Sequence, residues 1–436
     1  MDMPATKPKS KLKLNELTAT EIVAAINGGQ TTCEAVVRAC LERIEAREPA
    51  VQAWQYLDPK QAIAQAVALD KSGRRGPLAG VPFGIKDIID TSDMPTEYGS
   101  PIYKGHQPRN EAACVALGRK AGGVLMGKTV TTEFANRFPG KTRNPFDPKR
   151  TPGGSSSGSA AAVGDCMVAL AIGTQTTGST IRPASFCGAF GYRPTYGDLR
   201  CSGVREAAGS LDTLGLIARS VEDIALYRDV LVGEQPVPVP EHAGALRVGF
   251  CRTHLWPEVE THTQALLQDA AQKLAKTGAK VSDVNLSAEF EQLVDTHLAI
   301  SSFEFSRNFT YEIEHHWDKL SDALRKGRLQ SGLSCTFERY RDARAFAAKC
   351  RHAFAALMND YDVLLTAAAT GEAPLGLEST GNAKPCLIWT TLHVPALTMP
   401  VFKGPHGLPV GAQIIGKHDG DRALFAAARR IYSALT

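Results

Sequence analysis

Two stretches rich in glycine and serine contain the residues of this chain that are best suited to chemistry. Residues 151–164 are TPGGSSSGSAAAVG, and residues 171–183 are AIGTQTTGSTIRP. Glycine and serine leave few side-chain atoms in the way, so backbone amides in such segments can come close to a ligand. The serines add hydroxyl groups, which can attack a carbonyl when a base activates them. Both stretches are therefore predicted to face a ligand.

Three other interpretations of the first stretch have to be weighed. Residues 153–159 have the composition of a flexible linker, but they lie between ordered-looking segments and not between domains. They lack the Gly-Lys-Ser/Thr ending of a phosphate-binding loop, and no G-x-G-x-x-G pattern spans them. Residues 154–158 formally match G-x-S-x-G, with Ser156 as the nucleophile of a hydrolase elbow. That elbow must follow a strand, and the three prolines in residues 144–152 argue against one.

Together with an upstream segment, the two stretches resemble the amidase-signature family. The likeness is carried by residues 153–163, GGSSSGSAAAV, by residues 173–184, GTQTTGSTIRPA, and by Phe-Cys-Gly at 186–188. Residues 78–90, LAGVPFGIKDIID, are similar to the family segment that carries a catalytic lysine. The two motifs occur in the expected order. The likeness covers nearly the whole chain and is weakest from about 236 to 360, where substrate choice is expected to lie.

The resemblance implies roles for three side chains and four backbone amides. Lys86 matches the catalytic lysine, Ser155 the serine after a cis peptide bond, and Ser179 the nucleophile. The amides that correspond to the oxyanion hole are those of Thr176, Thr177, Gly178 and Ser179. The chain departs from the commonest pattern at Ser157, where glycine is frequent, and at Thr177, where a small Gly or Ala is frequent.

The chemistry of amide cleavage gives Lys86 a separate rationale. An amide carbonyl is a poor electrophile, so an acyl-enzyme route needs an activated hydroxyl, an oxyanion site and an acid for the departing amine. No histidine lies near Ser155 or Ser179 in the sequence, and a lysine can act as the base only when it is uncharged. Apolar neighbours predict that Lys86 is buried, and the resemblance implies that Ser155 relays protons between it and Ser179. The alternative is a lysine in a salt bridge with Asp87 at a strand end.

Alternating strand and helix patterns surround these motifs and predict an α/β fold. We expect a single large domain over residues 14–436, with a central mixed β-sheet covered by helices on both faces and a helical region near 289–360 around the pocket. Thr18 with Glu21, and Thr31 with Glu34, match capping boxes that begin two helices. Strands are predicted at 51–57, 78–89, 124–126, 167–172, 246–250, 280–286 and 362–366. Further helices are predicted at 59–69, 110–121, 159–163, 263–277 and 422–432.

The composition is that of an ordinary soluble protein, with 436 residues, 43% hydrophobic and 22% charged, and a net charge of +4. Residues 1–13 are predicted to form a flexible basic tail. The proline-rich segment 236–240 is predicted to be a stiff linker that could mark a subdomain edge. Clustered basic residues typical of a nucleic-acid surface and apolar runs of membrane-spanning length are not found. The ten cysteines form no C-x-x-C pair, which predicts reduced thiols in the cytoplasm and no zinc site.

The resemblance implies an amidohydrolase that acts on linear amides without a cofactor, with anilides and carbamates as further substrates. Within the same resemblance, the alternative is a glutamine-hydrolysing subunit of a tRNA-dependent amidotransferase. A third alternative is a non-catalytic relative that binds amide-like ligands. The expected partner is a small amide-type substrate, with no nucleic acid and no membrane, and a homodimer is compatible with the sequence.

Two features of residues 289–360 bear on the pocket. Most of the aromatic residues there are expected to be packing contacts, and some to form the wall of a substrate entrance. They are Phe290, Phe303, Phe305, Phe309, Tyr311, Trp317, Phe337 and Tyr340. Because adjacent residues on a helix diverge, His315 and His316 are interpreted as surface residues and not as ligands of one metal ion.

Overall fold

The computed structural model of this chain describes residues 13–73 and 76–436. Within these residues, eleven strands form one sheet in the order β1-β3-β2-β4-β6-β5-β10-β11-β9-β7-β8. The strands are β1 Trp54–Leu57, β2 Pro82–Lys86, β3 Val124–Thr129, β4 Leu170–Gln175, β5 Phe190–Arg193, β6 Thr213–Ala218, β7 Arg247–Cys251, β8 Lys280–Val284, β9 Val363–Ala367, β10 Ala396–Lys403 and β11 Pro409–Ile415. Parallel pairing joins β2 to both β3 and β4, and β7 to both β8 and β9, whereas the other pairs are antiparallel.

Helices fill the connections between the strands. They are α1 Ala19–Asn27, α2 Cys33–Val51, α3 Pro59–Ser72, α4 Ala113–Lys120, α5 Ser157–Gly164, α6 Ile181–Phe186, α7 Val221–Val232, α8 Thr261–Lys276, α9 Leu293–Asn308, α10 Thr310–His316, α11 Asp322–Leu324, α12 Gln330–Leu333, α13 Phe337–Leu357, α14 Lys384–Thr391 and α15 Asp421–Leu435. Every residue of β2, β3, β4, β5, β6, β9 and β11 is buried, so helices and loops cover both faces of the sheet there. The predicted single α/β domain with a central mixed sheet is confirmed.

The two predicted capping boxes have different outcomes. At α1, the Thr18 hydroxyl accepts the N–H of Glu21, and the Glu21 carboxylate accepts the N–H of Thr18, as predicted. The second box is wrong by one residue, because α2 is capped by Thr32, whose hydroxyl accepts the N–H of Ala35 at 3.1 Å. Carboxylate oxygens of Asp70 in α3 accept the first N–H groups of α2, so the cap does not need Glu34.

The strand predicted from residue 51 begins later, at Trp54 of β1. Helix α2 continues through Pro49 to Val51 and ends at Gln52, which has a left-handed backbone with φ of 54°. The Glu48 carboxylate then accepts the N–H groups of Ala53 and Trp54, both at 2.9 Å. The apolar residues from 51 onward therefore do not form one strand. Val51 ends helix α2, a turn held by the Glu48 side chain follows, and the strand begins only at Trp54.

The proline-rich segment 236–240 lies against the C-terminal helix. The carbonyl groups of Val237 and Pro238 accept hydrogen bonds from Arg422, and that of Val239 accepts one from Arg429 of α15. Strands β7, β8 and β9 follow this segment and complete the same sheet. The predicted tail lies outside the described residues except for Lys13. No helix in the described part of the chain combines the length and apolar character that a membrane crossing needs.

Candidate active site

Two parallel strands bring the lysine motif and the second glycine-serine stretch to one edge of the sheet. Strand β2 pairs with β4, with Ile85 opposite Ile172, and both strands run in the same direction. Lys86 is the last residue of β2, and residues 176–179 directly follow Gln175 at the end of β4. Because carboxyl ends of parallel neighbours meet at the same edge, strand pairing itself makes these two segments neighbours.

The first glycine-serine stretch, residues 151–164, lies at the same edge of the sheet and leads into helix α5. The peptide bond between Gly154 and Ser155 is cis, as the resemblance implied. The N–H of Ser156 donates to the carbonyl of Ser179 at 3.2 Å, which holds the two serine segments side by side. Gly158 makes this packing possible, because a Cβ at that position would lie 2.2 Å from the Ala53 carbonyl oxygen. The small residues of α5 thus serve close packing beneath the site.

Lys86 is fully buried and has no acidic partner in the described residues. Its Nζ donates to the Ser155 Oγ at 2.7 Å and to the Thr174 Oγ1 at 2.8 Å. Desolvation by burial lowers the pKa of Lys86 to about 7, and the more distant carboxylate of Asp212 opposes that shift. Asp87 instead forms a buried ion pair with Lys128, at 3.3 Å. The alternative of a salt bridge between Lys86 and Asp87 is therefore wrong.

Ser179 lies at the floor of a cavity, one residue before the turn into α6, and is half-buried. Within residues 13–73 and 76–436, no hydrogen bond joins the hydroxyls of Ser155 and Ser179. The same residues offer no hydrogen-bond acceptor to the N–H groups of the four amides at 176–179. By contrast, the Gln175 side chain accepts the next two N–H groups, those of Thr180 and Ile181, at 3.0 and 3.1 Å. Four unsatisfied amides remain at the position expected for an oxyanion hole.

Ser156 is a structural residue and not the nucleophile of a hydrolase elbow. Its side chain is fully buried, and its hydroxyl oxygen accepts the N–H of Thr174 at 3.2 Å and donates to the carbonyl of the same residue at 3.3 Å. Ser157, the first departure from the family pattern, donates to the Val130 carbonyl at 3.2 Å. Both hydroxyls therefore serve to attach the start of α5 to neighbouring strands.

Sequence reasoning missed two residues that hold the 176–179 turn. The Asp212 carboxylate accepts hydrogen bonds from the Thr176 hydroxyl at 2.5 Å and from the N–H groups of Ala207 and Ala208, and its burial raises its pKa to about 6. The His297 Nε2 lies 2.9 Å from the Thr176 carbonyl oxygen, and burial lowers the pKa of His297 to about 3. A neutral imidazole donates to that carbonyl. Asp212 lies in residues 210–225, which continue the resemblance to the family but gave it no role, and no local signal identifies His297.

A cavity of about 500 Å³ lies over Ser179. Its walls come from α9, the segment before α12, the loop 135–139 and the loop 378–384, in agreement with a helical region beside the pocket. The aromatic residues predicted to form the entrance do not line it. Phe290, Phe305 and Phe309 are buried in packing contacts, whereas Tyr311 and Phe337 are exposed elsewhere. The positions that α9 directs at the cavity are occupied instead by Val294, His297 and Leu298.

No group of three or more possible metal ligands occurs among the described residues, and His315 is exposed at the end of α10. The geometry thus consists of a buried lysine amine in contact with a hydroxyl, a second hydroxyl in the cavity lining, and, beside it, four amides that find no acceptor in the described residues. Such an arrangement can activate a serine and stabilise an oxyanion, which are the requirements of acyl transfer.

Comparisons with known proteins assign the family. The family model described as Amidase matches residues 35–425. A glutamyl-tRNA(Gln) amidotransferase subunit from Chloroflexus aggregans is 33% identical over 458 residues, covering 93% of each chain. A crystal structure of an amidase is 29% identical with a TM-score of 0.87 and covers 96% of this chain and 100% of that one. Peptide amidase from Stenotrophomonas maltophilia is 26% identical with a TM-score of 0.84, covering 98% of both.

The class of protein that the fold defines is therefore an α/β enzyme built on one large mixed sheet, like the amidase structures it resembles. The chain belongs to the amidase family and is an amidohydrolase, an enzyme that acts on carbon–nitrogen bonds.

Proposed function

We propose that this chain hydrolyses linear amides through an acyl-enzyme on Ser179, with Ser155 and Lys86 as the proton path. The observation that carries the proposal is the contact of 2.7 Å between a fully buried Lys86 amine and the Ser155 hydroxyl. A lysine whose pKa is lowered to about 7 is neutral in a large fraction of molecules near neutral pH, so it can accept a proton.

The proposed reaction has two halves. Ser179 Oγ attacks the amide carbon while its proton passes to Ser155 and the Ser155 proton passes to Lys86, and the carbonyl electron pair becomes an oxyanion that the amides at 176–179 stabilise. As the oxyanion collapses, the carbon–nitrogen bond breaks, and a proton returns through Ser155 to the leaving nitrogen. Water then attacks the ester by the same path and releases the carboxylic acid. The Ser179 and Ser155 hydroxyls are expected to meet when substrate is bound, since catalytic hydrogen bonds often tighten only then.

Labelling with a fluorophosphonate tests the nucleophile. We expect one adduct per chain, mapped by peptide mass spectrometry to Ser179, and no adduct in Ser179→Ala. Ser156→Ala is the matched control, because that hydroxyl is buried and bound to the backbone of Thr174. Adduct formation that persists in Ser179→Ala would contradict the assignment. An intact protein labelled by neither a fluorophosphonate nor a sulfonyl fluoride would favour the non-catalytic alternative.

A second candidate is the glutamine-hydrolysing subunit of a tRNA-dependent amidotransferase. It is favoured by the 33% identity over nearly the full length to a protein named as a glutamyl-tRNA(Gln) amidotransferase subunit. Such a subunit passes ammonia onward within a complex, so the isolated chain should be nearly idle on simple amides. Turnover of amides, anilides or carbamates by the purified chain would reject this candidate. A panel of the three bond types also tests whether anilides and carbamates belong to the substrate range.

A cytoplasmic location is part of the proposal. It is supported by the cysteines, since all ten lie in the described residues and are thiols, not disulfides. A homodimer and the division into a tail of residues 1–13 and an amidase domain of residues 14–436 stay predictions, which light scattering and limited proteolysis would test.

A further inference from the structure

Three arginine side chains line the cavity over Ser179: Arg137, Arg182 and Arg328. Within the described residues, Arg137 and Arg328 form neither an ion pair nor a hydrogen bond. Arg182 is buried, and both groups to which it donates, the Gly154 carbonyl and the Thr380 hydroxyl, are neutral. Guanidinium groups stay charged in proteins, so three positive charges face one cavity, and none of them is paired with a carboxylate of the described residues.

The other charged groups of the lining do not offset them. Lys384 is paired with Glu258 at 2.7 Å and adds no free charge. Glu378 is the single carboxylate of the lining; it is exposed at the rim and forms no ion pair within residues 13–73 and 76–436. The cavity therefore carries an excess of positive charge, in a protein whose formal net charge is only +4.

Arg328 differs from its basic neighbours in the same segment. Arg325 and Lys326 both pair with Asp322, the latter at 2.9 Å, and neither is part of the cavity lining. Arg328 follows Gly327, whose φ of −103° and ψ of −109° interrupt the helix with one wide turn between α11 and α12. Its guanidinium lies 5.5 Å from the ring centre of Phe305, beside the cavity. Wide turns of this kind occur often at functional sites.

The three arginines lie close enough for their charges to affect one another. Desolvation and the charge of Arg137 lower the pKa of Arg328 to about 10, and the Asp212 carboxylate opposes that shift without forming an ion pair. Arg137 also acts on the pKa of Arg182, in the same direction. Like charges held together and partly removed from water destabilise a protein unless an anion joins them. Guanidinium groups are the preferred partners of carboxylates, because their paired N–H donors match the two oxygens.

We propose that the substrate is an amide that also carries a carboxylate, which Arg328 and Arg137 bind in the cavity that Ser179 also lines. This inference rests on the proposed function. An amino-acid amide such as glutamine would bring an ammonium group among three arginines, with only the exposed Glu378 to receive it. The charges thus favour a half-amide of a dicarboxylic acid, with a carboxylate and no ammonium.

Matched substrates test the proposal. Succinamate and glutaramate are compared with butyramide and valeramide, in which a methyl group replaces the carboxylate, and ammonia release is measured. We expect kcat/KM to be at least about tenfold higher for the two acids. Arg328→Met should reduce that preference about tenfold, and Arg328→Lys should reduce it less, because the charge remains without the paired donors. Lys326→Met is the control from the same turn and should leave the preference unchanged.

Binding to Ser179→Ala, measured by calorimetry, keeps the test independent of turnover. Succinamate should bind the Ser179→Ala chain more tightly than butyramide or glutamine, and Arg328→Met in that background should remove the difference. Equal binding of succinamate and butyramide, tighter binding of glutamine, or a preference that survives Arg328→Met would each overturn the inference. Failure of the proposed function looks different: the chain would turn over none of the amides and would take up no fluorophosphonate, whatever it binds.

Discussion

Two lysines stand at the ends of adjacent parallel strands and have opposite environments. Lys86 on β2 and Lys128 on β3 are both fully buried. Lys128 is surrounded by acceptors that include the Asp87 carboxylate at 3.3 Å and the Ile89 carbonyl at 2.7 Å. Lys86 touches two hydroxyl groups and no carboxylate of the described residues. Burial lowers the pKa of both amines, but only at Lys128 does an adjacent carboxylate act against the shift.

The difference shows how one fold can use the same side chain for stability and for chemistry. A buried ammonium is tolerated when a carboxylate and further acceptors compensate it, and it then serves structure. A buried amine without a counter-charge is driven toward its neutral form and becomes a base. Asp87, next to Lys86 in the chain, is the residue that separates the two cases, because its side chain faces Lys128.

The largest effect is expected when the proposed base is removed. In Lys86→Met, kcat should fall roughly 10²–10⁴-fold, since the Ser155–Ser179 path loses its proton acceptor. The thermal midpoint should stay close to that of the unmodified chain, because no ion pair is broken. Both quantities are measured on one preparation. A drop in activity that is matched by loss of folded protein would assign Lys86 to structure, like Lys128.

The reverse result is expected at the second lysine. Lys128→Met leaves the Asp87 carboxylate buried without its partner, and the free energy of unfolding should fall by about 3–5 kcal/mol. Urea unfolding at pH 7.5 measures the loss. The double variant Asp87→Asn with Lys128→Met should regain part of it, because no charge is left behind. A loss below about 1 kcal/mol would mean that the buried pair is not a stabilising unit.

The pH dependence of kcat/KM tests the protonation state of Lys86. With butyramide, which does not titrate, the rate constant should fall about tenfold per pH unit below a pKa near 7, because only the neutral amine can accept a proton. In Asp212→Asn, the acidic limb of this pH profile should move to lower pH, since the carboxylate that raises the pKa of Lys86 is gone. If the limb disappears in that variant, Asp212 itself is the titrating group.

The smallest effect is expected at Thr174, whose hydroxyl accepts a hydrogen bond from Lys86, as Ser155 also does. Thr174→Val keeps the shape of the side chain but removes the acceptor at 2.8 Å from the lysine amine. We expect kcat to fall about fivefold and the limb of the pH profile to move to lower pH, because an acceptor that favours the ammonium form is lost. A limb that moves to higher pH would show that Thr174 acts by another route. Thr398→Val, a buried threonine outside the cavity lining, is the control.

Local patterns in the sequence determined much of this protein. The alternation of apolar strands with helices predicted the fold class, and motif resemblance predicted the family, both of which are confirmed. The apolar neighbours of Lys86 correctly predicted its burial. The assignment of Lys86, Ser155 and Ser179 to catalysis stays a prediction, although strand pairing brings their segments together. Apolar periodicity and short motifs depend on neighbours in the chain, so they can be read without knowing what lies opposite.

Only the tertiary structure decided which groups face one another across the chain. Asp87 is next to Lys86 in sequence, yet it pairs with Lys128, because consecutive residues at the end of β2 point in different directions. The Thr176 turn is held by Asp212 and His297, which are 36 and 121 residues away. The cavity wall that looked aromatic in sequence contains three arginines beside apolar residues in space. Charge compensation and cavity lining depend on contacts between distant segments, and no local pattern in the sequence specifies them.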